Sequence, residues 1–419
     1  KSNGPIPKLY YTGTLQEWCL INHSATLRCV DTLYINNEKV EHLDFSEHPE
    51  VTTIKADAFA YYKALKSVRT AATMSASATK AMMFYQCSGL DTVWVDSDIN
   101  MWGWFMQCGS LDNVYLNANL NDSSTFQSTN ITNLYISTPC TNLASESFMT
   151  SYVSNVYYDG SINQYAVINM ETKSSNPSYT NLANCNIYIN DTPLSEFESI
   201  HLSGMNRIGN HVFYGQSNIK HVYIDSSVKI IGQGAFQDCS NMQSINLSEG
   251  LEEVQAGAFS GNKKATIVGM PSSLRIIGDS AFANAPSRSG SLVLGNNIES
   301  IGNEAFYYQG FTSIDLGSVV TIGKKAFNNC TKTTTLHIGS NIQSIDEAAF
   351  WDMNVLNNVV IDALVPPSMN DAFKSCDALI AAAAAGDTSK ATIKVPASAV
   401  DAYKTADGWS QFASIIVAQ

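Results

Sequence analysis

Charge is scarce in this chain, and cations are scarcer than anions. Only 15% of its 419 residues are Asp, Glu, Lys or Arg, against about 25% in an ordinary globular domain. Lys and Arg number 24 and Asp and Glu 37, a net charge of −13. Such a surface repels the phosphate backbone, which excludes a general nucleic-acid binder. No apolar run approaches the ~18 residues of a membrane span; the most apolar stretch, Ala381 to Ala385, has five. His-Glu-x-x-His, Gly-x-Ser-x-Gly and a Gly-x-x-x-x-Gly-Lys phosphate loop are all missing, and so is metal-ligand spacing among the nine Cys and seven His. Catalysis, a cofactor and a metal centre are therefore not expected. Gly232-Gln233-Gly234 lacks the rest of a dinucleotide fingerprint. Asp96-Ser97-Asp98 lacks the turn Gly and distal Glu of a calcium loop, and reads as two solvated loop carboxylates. The chain opens at Lys1-Ser2-Asn3-Gly4 without an initiator Met or a signal peptide, and reads as a processed or truncated chain.

What is present is repetition and hydrophobicity sufficient for a core. A Phe that usually follows Ala recurs at Phe213, Phe236, Phe259, Phe282, Phe306, Phe327, Phe350 and Phe373, with spacings of 23, 23, 23, 24, 21, 23 and 23. A more degenerate series runs through Phe59, Phe84, Phe105, Phe126 and Phe148, spaced 25, 21, 21 and 22. Each unit has one short strand of alternating burial, such as Val222 and Ile224 or Ile314 and Leu316. A second short extended segment at Ile-Gly and a one-turn helix at Ala-Phe follow. A ~23-residue unit cannot bury its apolar face alone, so neighbours must stack into a curved solenoid of parallel strands. The anchor rings Phe236, Phe259, Phe282, Phe306, Phe327 and Phe350 are expected to form one buried row.

The pattern Ile-Gly-x-x-Ala-Phe-x-x-Cys, followed by a Leu-x-x-Ile-x-Leu-like strand, resembles the BspA-like leucine-rich repeats. The resemblance covers most of the chain and is strongest over 205–375. Over 50–160 it is weaker: Phe84 and Phe105 lack the preceding Ala, and Phe126 lacks the Cys three residues on. It implies a leucine-rich-repeat solenoid, a secreted or cell-surface location in a host-associated microbe, and adhesion to a host or microbial surface protein or glycan. No membrane insertion is implied, and a monomer is expected.

A second duplication frames the repeats. Residues 10–22 match 157–169, and Leu33-Tyr34-Ile35-Asn36 matches Ile187-Tyr188-Ile189-Asn190; the second copy is longer in the loop 173–180. Each copy reads as a variant unit: a strand, a short helix bearing Trp18 or Tyr165, and a hairpin at Asn36-Asn37 or Asn190-Asp191. The organisation is then a starting unit (1–48), degenerate repeats (49–156), a second variant unit (157–204), regular repeats (205–392) and a C-terminal cap (393–419). One continuous array is favoured, because Val156-Tyr157-Tyr158 reads both as the last strand of the first block and as the first of the second. In the cap, Ser398 would begin a helix from Ala399 to Thr405, and Trp409 and Phe412 would cover the last core layer. The cap also resembles that of the same family.

Cys87, Cys108, Cys239, Cys330 and Cys376 each follow an anchor Phe by three residues, which places them on one buried, reduced row. Cys19 and Cys29 lie in one unit, and whether they pair is open. Asn-x-Ser/Thr sequons stand at Asn22, Asn121, Asn130, Asn190, Asn246 and Asn329, and matter only in a eukaryotic source.

The candidate contact surface is the outward row of the first block's strands: Trp94, Tyr115, Tyr135 and Tyr157, flanked by Asn residues including Asn113 and Asn133. Two readings are open. Rings and amides could meet a glycan or an extended polypeptide. Alternatively, a cross-strand ladder stabilises the sheet by about 0.2–1 kcal/mol per pair. At the level of the whole protein, the choice lies between a recognition protein and a structural spacer that displays another domain.

Overall fold

The computed structural model describes residues 6–21, 26–71, 74–76, 82–98, 102–121, 124–144, 147–170, 182 and 185–419. The loop 173–180 lies outside them. The chain divides into two units, Lys1–Glu196 and Phe197–Gln419.

In the second unit the repeat is easiest to follow. Its longer strand has the burial pattern of a half-buried strand, as in His221–Ile224, where Val222 and Ile224 are buried. Parallel pairing joins the longer strands of successive repeats into a four-stranded sheet ending at Thr266–Val268 and a six-stranded sheet starting at Ser291–Val293. The expected second extended segment is a two-residue strand per repeat; eight of these, from Arg207–Ile208 to Ser368–Met369, form their own parallel sheet.

Between the two sheets lies the Phe row. All six expected rings, with Phe213, are fully buried, and Phe373 nearly so. Neighbouring rings from Phe213 to Phe373 stack at 5.1–5.7 Å. The Ala-Phe segment is a tight turn and not the helical turn expected from sequence. The residues two before and two after each Phe take left-handed backbone, as at Glu304 and Tyr308 around Phe306. That conformation on both sides leaves no room for a helix. The Phe N–H bonds instead to the next repeat: Phe236 donates to the Ala258 carbonyl at 2.8 Å, and Phe259 to that of Ala281 at 2.7 Å.

The first unit repeats this plan more loosely. Phe59, Phe84, Phe105, Phe126 and Phe148 stack at 5.3–5.7 Å. Seven parallel strands run from His42–Asp44 to Asn186–Ile189, and Thr192–Pro193 closes the eight-stranded sheet as an antiparallel hairpin. Both variant units contain a short helix with a reciprocal cap, Thr14 with Glu17 and Ser161 with Gln164. Both hairpins have positive φ at their two central residues, Asn36 and Asn37 in one and Asn190 and Asp191 in the other, as a two-residue turn of this hand requires. Val153–Tyr158 pairs with Thr129–Ile136 on one side and Asn186–Ile189 on the other.

At the C-terminus Trp409 and Phe412 pack edge-on against Phe373, each at 5.9 Å. Trp409 Nε1 donates to the Pro367 carbonyl at 2.9 Å. Ser398 is not an N-cap. A 3-10 turn over Ala397–Ala399 leads directly into the helix Val400–Thr405, so the helix start has no side-chain cap. A last strand, Ile416–Ala418, pairs with Thr392–Val395. The apolar stretch around Ala381 belongs to the helix Asp377–Ala385. None of the helices among the described residues is long and apolar enough to cross a membrane.

Candidate functional site

Period-two alternation puts one outward side chain between two buried ones on each strand of the first unit's sheet. Strand register then aligns Trp94, Tyr115, Tyr135, Tyr157 and Tyr188. Successive ring centroids are 5.4, 4.6, 4.9 and 4.7 Å apart, and no pair is tilted by more than 17°. The row is one ring longer than the four expected, because Tyr188 continues it. Face-to-face stacking leaves every ring half-buried. Inner rings are covered on both faces, so the row offers edges and hydroxyls. Burial, together with the neighbouring phenols, raises the Tyr135 and Tyr157 hydroxyl pKa values above that of free Tyr.

The flanking amides form a ladder of their own. Asn133 donates to Asn113 at 3.2 Å, Asn155 to Asn133 at 3.1 Å and Asn186 to Asn155 at 3.0 Å. Beside the rings, past the strand ends, lies a groove of about 310 Å³ lined by Tyr115, Tyr135, Tyr157, Asn117, Asp159 and Asp191, among others. The last three were not singled out from sequence. For two of them the signal was positional: Asn117 and Asp159 each stand two residues after a ladder ring, the phase that Asp96 occupies after Trp94.

Asp96 and Asp98 bind within the protein. Asp96 pairs with Arg69 and accepts from the Asn117 amide, and Asp98 accepts from the Asn119 backbone and side chain. Tyr34, at the corresponding position of the first variant unit, stacks on Tyr10 at 4.6 Å in a separate three-stranded sheet.

The second unit's outward row is mixed. His201 stacks on Tyr223, Asn246 follows, and Val293 is 58% exposed. His337 bridges two carboxylates, with Nδ1 2.8 Å from Asp315 and Nε2 2.8 Å from Asp362. Burial works against charge on this ring, but the two carboxylates outweigh it and raise its pKa. No group of three or more metal-ligating side chains occurs among the described residues.

All nine Cys are unpaired, Cys19 and Cys29 included, and only Cys29 is not buried. Desolvation pushes the thiols of Cys108, Cys330 and Cys376 up to about 12 and raises those of Cys87 and Cys239. The row at this phase is not simply apolar. Cys87, Cys108, Cys239, Cys330 and Cys376 each donate to the Phe carbonyl of the preceding repeat. Where Cys is missing, Thr129, Ser151, Asn262 and Gln309 donate to the equivalent carbonyl.

Short parallel strands, a stacked Phe row and a turn-built second sheet, repeated every 21–25 residues, define a leucine-rich-repeat protein. The chain belongs to the BspA type leucine-rich repeat family. Six copies of that family's repeat match, over 31–155, 173–289, 206–317 and 262–380. No curated protein matches the chain. Among solved structures it is similar to a leucine-rich repeat protein from Bacteroides ovatus (14% identity, covering 88% of this chain and 87% of that one, TM-score 0.33). A leucine-rich repeat protein from Eubacterium ventriosum is 16% identical (75% and 77% covered, TM-score 0.38). A leucine rich cell surface protein from Faecalibacterium prausnitzii is 19% identical (85% and 88% covered, TM-score 0.34).

Proposed function

We propose that this chain is a non-catalytic, secreted or cell-surface recognition protein that binds a macromolecule through the outward sheet face of its first unit. The observation that carries this is the five-ring row from Trp94 to Tyr188 beside an open groove. The second unit packs the same repeat with Asn246, Asp315 and His337 in that row, so the fold does not require rings there. A ring row confined to one unit marks a surface with a use of its own, and Trp and Tyr are enriched at binding hot spots. The partner is a host or microbial surface protein or a glycan.

The test is the triple substitution Trp94→Ser, Tyr115→Ser and Tyr135→Ser, assayed against panels of extracellular proteins and glycans, with folding confirmed by circular dichroism. Loss of a binding partner in the folded variant is the expected result. Unchanged affinity would move the site elsewhere in the chain. The spacer reading draws on the same row: rings covered face to face, and amides bonded to each other, stabilise a sheet without any ligand.

A further inference from the structure

The groove on the first unit combines acceptors and uncovered ring edges, and no cation is among the described residues that line it. Between Lys80 and Lys173 the chain has no Lys, Arg or His, and eight Asp or Glu. The sheet face from Trp94 to Tyr157 is built wholly from this stretch. In the second unit, by contrast, carboxylates are matched across repeats, as Glu198 with Lys220, Glu299 with Arg275 and Glu347 with Lys324.

The repeat also contains its own example of a filled cation site. Arg69 is the outward residue of the strand next to Trp94, and its guanidinium is held by Asp96, two residues after Trp94. Asp159 stands at the same phase, two residues after Tyr157. The preceding strand there presents Tyr135 instead of an Arg. Asp159 accepts only the Thr138 backbone N–H, at 2.9 Å, and has no ion pair among the described residues. Asp191, which also lines the groove, has neither a side-chain hydrogen bond nor an ion pair among them.

From this geometry we infer that the groove binds an extended polypeptide bearing Arg or Lys, with one cationic head seated between Asp159 and Asp191 as Arg69 is seated on Asp96. The assignment rests on the recognition reading above and narrows its partner class. A sugar platform needs an open ring face, and stacking covers the faces of the inner rings. Phenol oxygens and carboxylates along the groove accept hydrogen bonds, and a guanidinium or ammonium supplies only donors.

The full chain is titrated with a fluorescein-labelled peptide of alternating Arg and Ser, its Glu-for-Arg counterpart and a set of neutral oligosaccharides. The Arg peptide should bind and the Glu peptide should not, and binding should weaken as salt rises from about 50 to about 500 mM. Asp159→Asn with Asp191→Asn should weaken it about 3- to 10-fold, whereas Asp401→Asn in the second unit should leave it unchanged. Asp159→Lys with Asp191→Lys should reject the Arg peptide and accept the Glu peptide, a reversal that damaged folding would not produce. Equal binding of both peptides to the native protein, or no effect of the Asn pair, overturns the inference. If an oligosaccharide binds instead and the ring triple substitution abolishes it, the cation assignment fails and the recognition reading stands. If no probe and no panel protein binds the face, both fail.

Discussion

At the residue scale, most anchor Phe residues are fixed three times, Phe306 among them. Its ring stacks in the core row, its N–H bonds to the next repeat, and its carbonyl accepts a side-chain donor from that repeat. Truncation by Phe306→Ala should therefore cost about 3–5 kcal/mol in denaturant unfolding; a loss below about 1 kcal/mol would mean the row bears little of the fold. The donor position makes a sharper prediction. Cys239→Val keeps an apolar side chain but removes one of the donors to the buried Phe213 carbonyl, leaving the Gln216 N–H, at a cost of about 0.5–1.5 kcal/mol. Cys239→Ser keeps a donor and should be the more stable of the two by thermal denaturation; the reverse order would restore a purely apolar role. The Phe phase was legible because it repeats thirteen times in one residue type. The donor was hidden because Cys, Thr, Ser, Asn and Gln share a proton and not a hydrophobicity. Arg288 was hidden for a different reason. It occupies the core position six residues after Phe282, where other repeats have Met242 or Leu356, and it is buried without a carboxylate. It donates to the Ala265 and Phe282 carbonyls and to Gln309. Only the fold shows that its partners converge.

At the scale of elements, the long strands were legible from alternation and the variant-unit hairpins from their Asn-Asn and Asn-Asp turns. Elements that depend on what they dock against were not. The strand Ile416–Ala418 exists because Thr392–Val395 offers it an edge, and the helix Asp377–Ala385 reads in sequence as a bare alanine run. Cross-strand chemistry likewise depends on register. His337 shows this: residues of three successive repeats, 22 and 25 positions apart, become one Asp–His–Asp bridge. Because its folded pKa lies above the unfolded value, the bridge contributes its full stability below about pH 6.5 and loses it as pH rises through the raised value. The thermal midpoint of the second unit should thus fall between about pH 6 and pH 8.5, and His337→Gln should flatten that fall. An unchanged slope in the variant would assign the pH dependence to other groups. The ring ladder was half legible for the same reason. Alternation identified Trp94, Tyr115, Tyr135 and Tyr157 as outward, but not that stacking would cover their faces, that Tyr188 would extend the row, or that Asp159 and Asp191 would edge the groove.

At the scale of the whole molecule, one repeat serves two different surfaces. The second unit's outward row is mixed, and carboxylates elsewhere on its surface are matched across repeats. The first unit carries an aromatic row, and the stretch between Lys80 and Lys173 that builds most of it has carboxylates but no Lys, Arg or His. Because both are built on the same Phe row and the same turn, the difference lies in outward positions that the core does not constrain. Hydroxyl-radical footprinting of the full chain, alone and with a mixture of extracellular-matrix proteins, tests this division most directly. Tyr223 and Tyr308, both exposed in the second unit, are the internal reference. Trp94, Tyr115, Tyr135 and Tyr157 should lose oxidation in the presence of a bound partner while the two reference rings do not. Protection of Tyr223 or Tyr308, with the first unit's row unchanged, would contradict it.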